Sequence, residues 1–230
     1  MTQQSLQLHI QDIINIHHSG NTHDAINEIK ALIKLHPHEA IPLNVCGVLY
    51  KEIQQHDEAI SYLEQSLSLK ADYPEAYFNL GLTYQEINEI NSAIDCYKLA
   101  IKINPNYSEA YNNLGNLLKN NGKPKESIVC FKEAIEIEPN FVSAWNNLGN
   151  AFSDLDQLSD AVDCYQKALK IENNIPEIHN NLGNVLKEMG SYEKSIKCYK
   201  KSLEISPENY ETYNNLGVVL DKLGDSNEAI

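Results

Sequence analysis

Apolar and polar positions recur along this chain with a single period. Gly47, Gly81, Gly115, Gly149, Gly183 and Gly217 stand 34 residues apart, and the stretch Asn112-Asn113-Leu114-Gly115-Asn116 returns nearly unchanged at Asn146 to Asn150 and at Asn180 to Asn184. A period of that length marks one supersecondary unit copied along the chain. With copies starting at Ala40, Pro74, Ser108, Val142, Pro176 and Tyr210, position 4 holds Leu43, Tyr77, Tyr111, Trp145, His179 and Tyr213. Position 7 holds Cys46 and then Leu80, Leu114, Leu148, Leu182 and Leu216; position 11 holds Tyr50, Tyr84, Leu118, Phe152, Leu186 and Leu220. At about 100° per residue these positions and the glycine at position 8 share one face, which predicts a first helix, A.

A break follows at position 15, filled by Gly122, Gly190 and Gly224 or by Asn88 and Asp156, residues that tolerate the left-handed conformation ending a helix. A second apolar stripe then begins. Small Ala59, Ala93, Ser127, Ala161, Ser195 and Ala229 occupy position 20, and bulky Leu63, Tyr97, Phe131, Tyr165 and Tyr199 occupy position 24. Ala100, Ala134 and Ala168 continue the stripe at position 27, predicting helix B, and Pro105, Pro139 and Pro207 stop it because proline lacks the amide hydrogen and biases its predecessor away from helix.

Glycine and alanine set against bulky rings in this spacing resemble the tetratricopeptide repeat, most closely at 142–175, where Trp145, Leu148, Gly149, Phe152, Ala161, Tyr165 and Ala168 fall into place and Asn173 replaces the usual proline. The resemblance implies an all-α, right-handed α-solenoid of antiparallel helix pairs with a 34-residue repeat, helix A on the inner wall of a concave groove. Residues 1–39 read as a divergent N-terminal repeat and cap, with Ile13 in the glycine's place, Gly20 at the turn and Pro37 at the stop. Residues 40–209 hold five repeats, and 210–230 a sixth, truncated within helix B. That truncation would leave Leu216, Leu220 and Leu223 only partly covered, so the sequence reads as a segment of a longer protein.

The formal charge of −14 and the absence of arginine remove the basic stripe that nucleic-acid binding requires. No apolar run reaches the roughly 20 residues of a membrane span, and the N-terminus lacks a secretory signal, so a cytoplasmic location is expected. Cys96, Cys130, Cys164 and Cys198 share one repeat position and read as free thiols packed like small apolar residues. His9, His17, His18, His23, His36 and His38 include no i, i+4 pair, so neither a metal site nor any cofactor is expected. With no phosphate loop and no nucleophile-base pair, the segment itself reads as non-catalytic.

Candidate chemistry is confined to the other side of helix A, at positions 2, 5, 6, 9, 12 and 13. Position 6 brings Asn79, Asn113, Asn147, Asn181 and Asn215; position 5 brings Asn112, Asn146, Asn180 and Asn214; position 9 brings Asn116, Asn150 and Asn184. Asparagine is an indifferent helix former, so rows of it are not explained by helix stability. Its amide both donates and accepts, which suits recognition of a peptide backbone. Bonding between neighbouring repeats, or a coding bias towards Asn, Ile and Lys, is the alternative. The rows resemble those lining the repeat superhelix of O-linked N-acetylglucosamine transferases, and that resemblance implies that Asn79, Asn113, Asn147, Asn181 and Asn215 contact substrate backbone.

Two functions follow as expectations. One is a protein-interaction scaffold that binds an extended peptide, and the other is the substrate-recruiting arm of a larger enzyme, such as a glycosyltransferase, whose catalytic domain lies beyond Ile230. Glu75, Glu109, Glu177 and Glu211 at position 2 favour a neutral to basic protein partner and speak against a clamp for acidic C-termini.

Overall fold

The computed structural model describes residues 3–224, and among these every regular element is a helix. Helices A begin at the expected residues: α3 (Ala40–Glu52), α5 (Pro74–Glu86), α7 (Ser108–Asn120), α9 (Val142–Ser153), α11 (Pro176–Glu188) and α13 (Tyr210–Leu223). Helices B are α4 (His56–Leu69), α6 (Ile90–Ile103), α8 (Pro124–Ile137), α10 (Leu158–Ile171) and α12 (Tyr192–Ile205). An additional pair, α1 (Gln3–His18) and α2 (Thr22–Leu35), precedes them. The fold is therefore all-α and made of helix pairs. Residues 225–230, where the sixth helix B is expected, lie outside the described residues.

The turns explain the exact phasing. Asn88 and Asp156 adopt φ of 61° and 59°, and Gly122 adopts 74°, so each pair reverses through one left-handed residue. Gln54 does the same at φ 60°, a strained position that the sequence does not announce. Helix α10 ends at the same repeat position as its neighbours although Asn173 replaces proline, with the Glu172 N–H closing onto the Ala168 carbonyl.

The chain divides into two compact units, one ending at Ala110 and the other starting at Tyr111. In the first, Ile13, Ile29, Leu32, Cys46, Leu49 and Ala59 share one apolar cluster. Ile13 takes the place of the repeat glycine and packs in the same cluster as Ile29, at the place of the repeat's bulky residue, so two mid-sized side chains replace the glycine and the leucine or ring of later pairs. Ser66 repeats the small residue of position 27 and donates its buried hydroxyl to the Ala40 carbonyl at 2.8 Å. In the second unit Phe131, Leu148, Ala151 and Cys164 form one cluster; Ala161, Tyr165, Ala168, Ile178, Leu182 and Val185 form the next.

The core stripe on helix A differs in one respect from expectation. Positions 3 and 10 are buried throughout, as Ala76, Ala144, Ile178 and Thr212 show at position 3 and Leu49, Thr83, Ala151, Val185 and Val219 at position 10. Position 4 is mixed: Leu43 and His179 are buried, but Tyr77, Tyr111 and Trp145 are half-buried and Tyr213 is 50% exposed. Helix A touches both its own helix B and elements of the neighbouring pairs, which widens the buried arc beyond the single face the period suggests. Leu220, expected to be partly covered, is buried, while Leu223 is 38% exposed.

All five cysteines carry free thiols; Cys46, Cys96, Cys130 and Cys164 are buried and Cys198 is half-buried. Burial pushes Cys46 and Cys96 up to about 12 and Cys164 to about 11. Thiolates are the reactive form. A thiol reagent at pH 8 is therefore expected to leave these three unmodified in the folded protein for as long as denaturant is absent, with Cys198 reacting first; rapid modification of all five in native buffer would contradict this packing.

Candidate functional site

The candidate face begins with the glycine at position 8. A Cβ on Gly149 would lie 2.6 Å from Cε1 of Tyr165, and one on Gly183 would lie 2.5 Å from Cε1 of Tyr199. Without that Cβ, the helix B ring lies flat on helix A and its hydroxyl reaches the next residue along. Tyr165 donates to Oδ1 of Asn150 at 2.7 Å, and Tyr199 donates to Oδ1 of Asn184 at 2.8 Å. Phe131 occupies the same place over Gly115 but has no hydroxyl, and Asn116 has no such bond.

Position 6 amides reach the preceding repeat. Nδ2 of Asn79 donates to Oδ1 of Asn44 at 3.0 Å, Asn147 to Asn112 at 2.9 Å, Asn181 to Asn146 at 3.2 Å and Asn215 to Asn180 at 3.2 Å. Each step is 35 residues, so in these four pairs position 6 of one repeat bonds to position 5 of the one before. Asn44, absent from the expected rows, is the first acceptor, and it was readable as the position 5 residue of its repeat. Asn113 differs, since it accepts from Asn112 of its own helix at 3.5 Å.

Position 5 thus lies at the seam between repeats and not out on the open face. Asn112 is 7% exposed and Asn180 6%, whereas Asn146 is half-buried and Asn214 is exposed. Oδ1 of Asn180 also accepts from the buried Thr212 hydroxyl at 3.2 Å. The position 6 amides remain half-buried. Among the described residues no partner reaches Oδ1 of Asn147, Asn181 or Asn215, so each keeps its acceptor; Asn147 and Asn215 also keep one amide hydrogen, whereas Nδ2 of Asn181 donates to Asn150 at 3.3 Å as well as to Asn146.

Two clefts in the second unit expose these groups. One of about 380 Å³ is lined by Asn150, Asn181, Asn184 and Asn215 together with charged Lys119, Asp154, Lys187, Glu188 and Glu211. The other, of about 440 Å³, joins Asn112, Asn116, Asn146 and Asn147 to apolar Val142 and Ile178 and to Glu177. Lys119 reaches Asp154 at 3.6 Å, and in the first unit Lys51 reaches Glu86 at 3.5 Å. Lys51 and Lys119, both at position 12, are thus partly neutralised from the next repeat. Among the described residues no cluster of His, Cys, Asp and Glu could hold a metal ion, and no helix is long and apolar enough to cross a membrane.

Helix pairs of fixed length, a glycine under a ring and a left-handed turn define the class of helical repeat scaffolds. The TPR repeat model matches residues 47–88, 149–190 and 183–224, and two tetratricopeptide repeat models match 74–107 and 108–141, and 130–163. The chain belongs to the tetratricopeptide repeat family.

Solved structures carry the same fold. MamA is 30% identical, with a TM-score of 0.64 over 69% of this chain and 93% of its own. YrrB, described as a TPR protein with an unusual peptide-binding site, has a TM-score of 0.68 at 18% identity over 80% of this chain and 95% of its own. PilF of Pseudomonas aeruginosa has a TM-score of 0.73 at 19% identity over 83% of this chain and 86% of its own. No curated protein sequence matches the chain.

Proposed function

We propose that this scaffold binds an extended segment of another protein along the helix A face of its second unit. One observation carries the reading: successive position 6 amides donate through their NH2 to the neighbouring repeat and keep the carbonyl oxygen uncommitted. Fixed acceptors repeated from helix to helix suit the N–H groups of an extended chain, whose backbone is otherwise left to water. Each such bond contributes roughly 0.5–1.5 kcal/mol, so several together reach micromolar affinity once the cost of ordering the segment is met. The inter-repeat bonds and the peptide-binding role are compatible, because they use different atoms of the same amide.

Asp154, Glu188 and Glu211 against Lys119 and Lys187 support a neutral to basic segment. The reading requires no chemistry within these residues, and the peptide-binding site of YrrB supports it by likeness of fold. Five free thiols suit a reducing compartment, which favours the cytoplasm.

The test uses 12-residue peptides selected from a random phage-displayed library against the 230-residue chain. Asn116→Ala, which breaks no bond to another side chain, is expected to weaken the selected peptides about two- to tenfold, read by fluorescence polarisation, with the melting temperature unchanged. Selected peptides that bind every asparagine variant of this face as well as they bind wild type would rule the reading out.

A further inference from the structure

We propose that Tyr165 and Tyr199 are positioning residues of this face: their hydroxyls fix Asn150 and Asn184 with the carbonyl inward and the amide NH2 outward, so these two repeats present donors to the carbonyl groups of a bound chain. The inference rests on the helix A face being the peptide-binding surface, and it assigns a role there to residues of helix B.

The argument starts from one rotatable group. An asparagine amide on a half-buried helix surface can present either its oxygen or its NH2, and the two orientations are nearly isosteric. Here the tyrosine O–H donates to Oδ1 in both repeats, and that bond places the NH2 on the far side of the planar amide. At Asn150 the choice is made twice over, since Oδ1 accepts from Tyr165 at 2.7 Å and from Nδ2 of Asn181 at 3.3 Å. At Asn184 it is made by Tyr199 at 2.8 Å.

Both rings are held in place: Tyr199 is fully buried and Tyr165 nearly so, each seated over the repeat glycine. Burial raises both hydroxyls, Tyr199 to about 12, so they remain protonated donors across the neutral range. The third repeat of the series is an internal comparison. There Phe131 replaces tyrosine, the glycine and ring geometry is the same, and Asn116 is left free to turn either way.

The consequence is a division of labour within each helix A. Position 6 offers a fixed acceptor and position 9 a fixed donor one turn later, about 5–6 Å away between Cβ atoms. Only the repeats carrying Tyr165 and Tyr199 are complete in this sense. Fixing an amide before binding removes an ordering cost that a free one must meet on binding.

The experiment compares Tyr165→Phe with Tyr199→Phe in one chain, Phe131→Tyr in another, and Asn150→Ala with Asn184→Ala in a third, using the phage-selected 12-residue peptides. The double phenylalanine variant is expected to lose at least about fivefold in affinity, and Phe131→Tyr to gain about twofold. Side-chain amide resonances of Asn150 and Asn184, recorded without peptide, should shift in the double phenylalanine variant and at Asn116 in Phe131→Tyr. Loss of affinity in the alanine pair but not in the phenylalanine pair would overturn the positioning role and leave the peptide-binding surface standing. No effect from any variant, or no selectable peptide, would overturn both.

Discussion

Gly149→Leu is expected to lower the stability of the second unit by about 3 kcal/mol or more, at the upper end of what overpacking costs. A Cβ alone would sit 2.6 Å from Cε1 and 2.9 Å from Cδ1 and Cζ of Tyr165, well inside contact distance, before any further carbon is added. The ring cannot swing aside as a flexible chain would. It is buried among Ala161, Ala168, Leu182 and Val185, and its hydroxyl is bonded to Asn150. Relief therefore requires α9 and α10 to separate, which opens the apolar cluster they share with α11. For a chain of this length a loss of that size corresponds to a midpoint lower by roughly 6–12 °C. Because each repeat contacts only its neighbours, the melt should also lose cooperativity, with α9 and α10 unfolding ahead of the rest.

Gly190→Asn is the matched control. Gly190 lies at φ 72° with open space where a Cβ would go, and Asn88 already holds the equivalent turn at φ 61°. Its substitution should cost only a few tenths of a kcal/mol. Circular dichroism during thermal and urea denaturation reads both variants. A Gly149→Leu transition within about 1 °C of wild type would mean that the ring does not lie on the glycine.

Much of this scaffold was legible because its determinants are local or pairwise. Gly149 and Tyr165 advertise each other through a missing side chain and a large one, and Asp156 advertises a turn through its tolerance of positive φ. What escaped the sequence depends on a third body. Ala151 is buried in a cluster that includes Phe131 of the preceding pair, and a small residue in a helix gives no sign of it. The rows of asparagine were equally visible, but which atoms they spend on the neighbouring repeat follows from how closely successive helices A stack. Asn180 shows the limit: in sequence it is one of the amides on the polar side of helix A, and in the fold it is walled into the seam.

Asn180→Leu is accordingly expected to cost about 2 kcal/mol, although leucine is the better helix former and brings more apolar area. The Asn180 carbonyl is the acceptor for two groups at once, Nδ2 of Asn215 and Oγ1 of Thr212, each at 3.2 Å. Thr212 is fully buried at the contact between α11, α12 and α13, and leaving such a donor without a partner costs roughly 1–3 kcal/mol. Part of that loss is offset if the threonine hydroxyl turns to Ser202, 3.4 Å away, whose own hydroxyl is already given to the Pro176 carbonyl at 2.9 Å. Asn214→Leu, at the same repeat position but exposed, should stay within about 0.5 kcal/mol of wild type. A double-mutant cycle between Asn180→Ala and Asn215→Ala isolates the rung, and a coupling above about 0.5 kcal/mol is expected for groups in direct contact. The peptide-binding reading requires the Asn215 carbonyl to remain outward while its NH2 holds this rung. Zero coupling, together with a neutral Asn180→Leu, would release both amides from the seam and remove the fixed acceptors on which that reading depends.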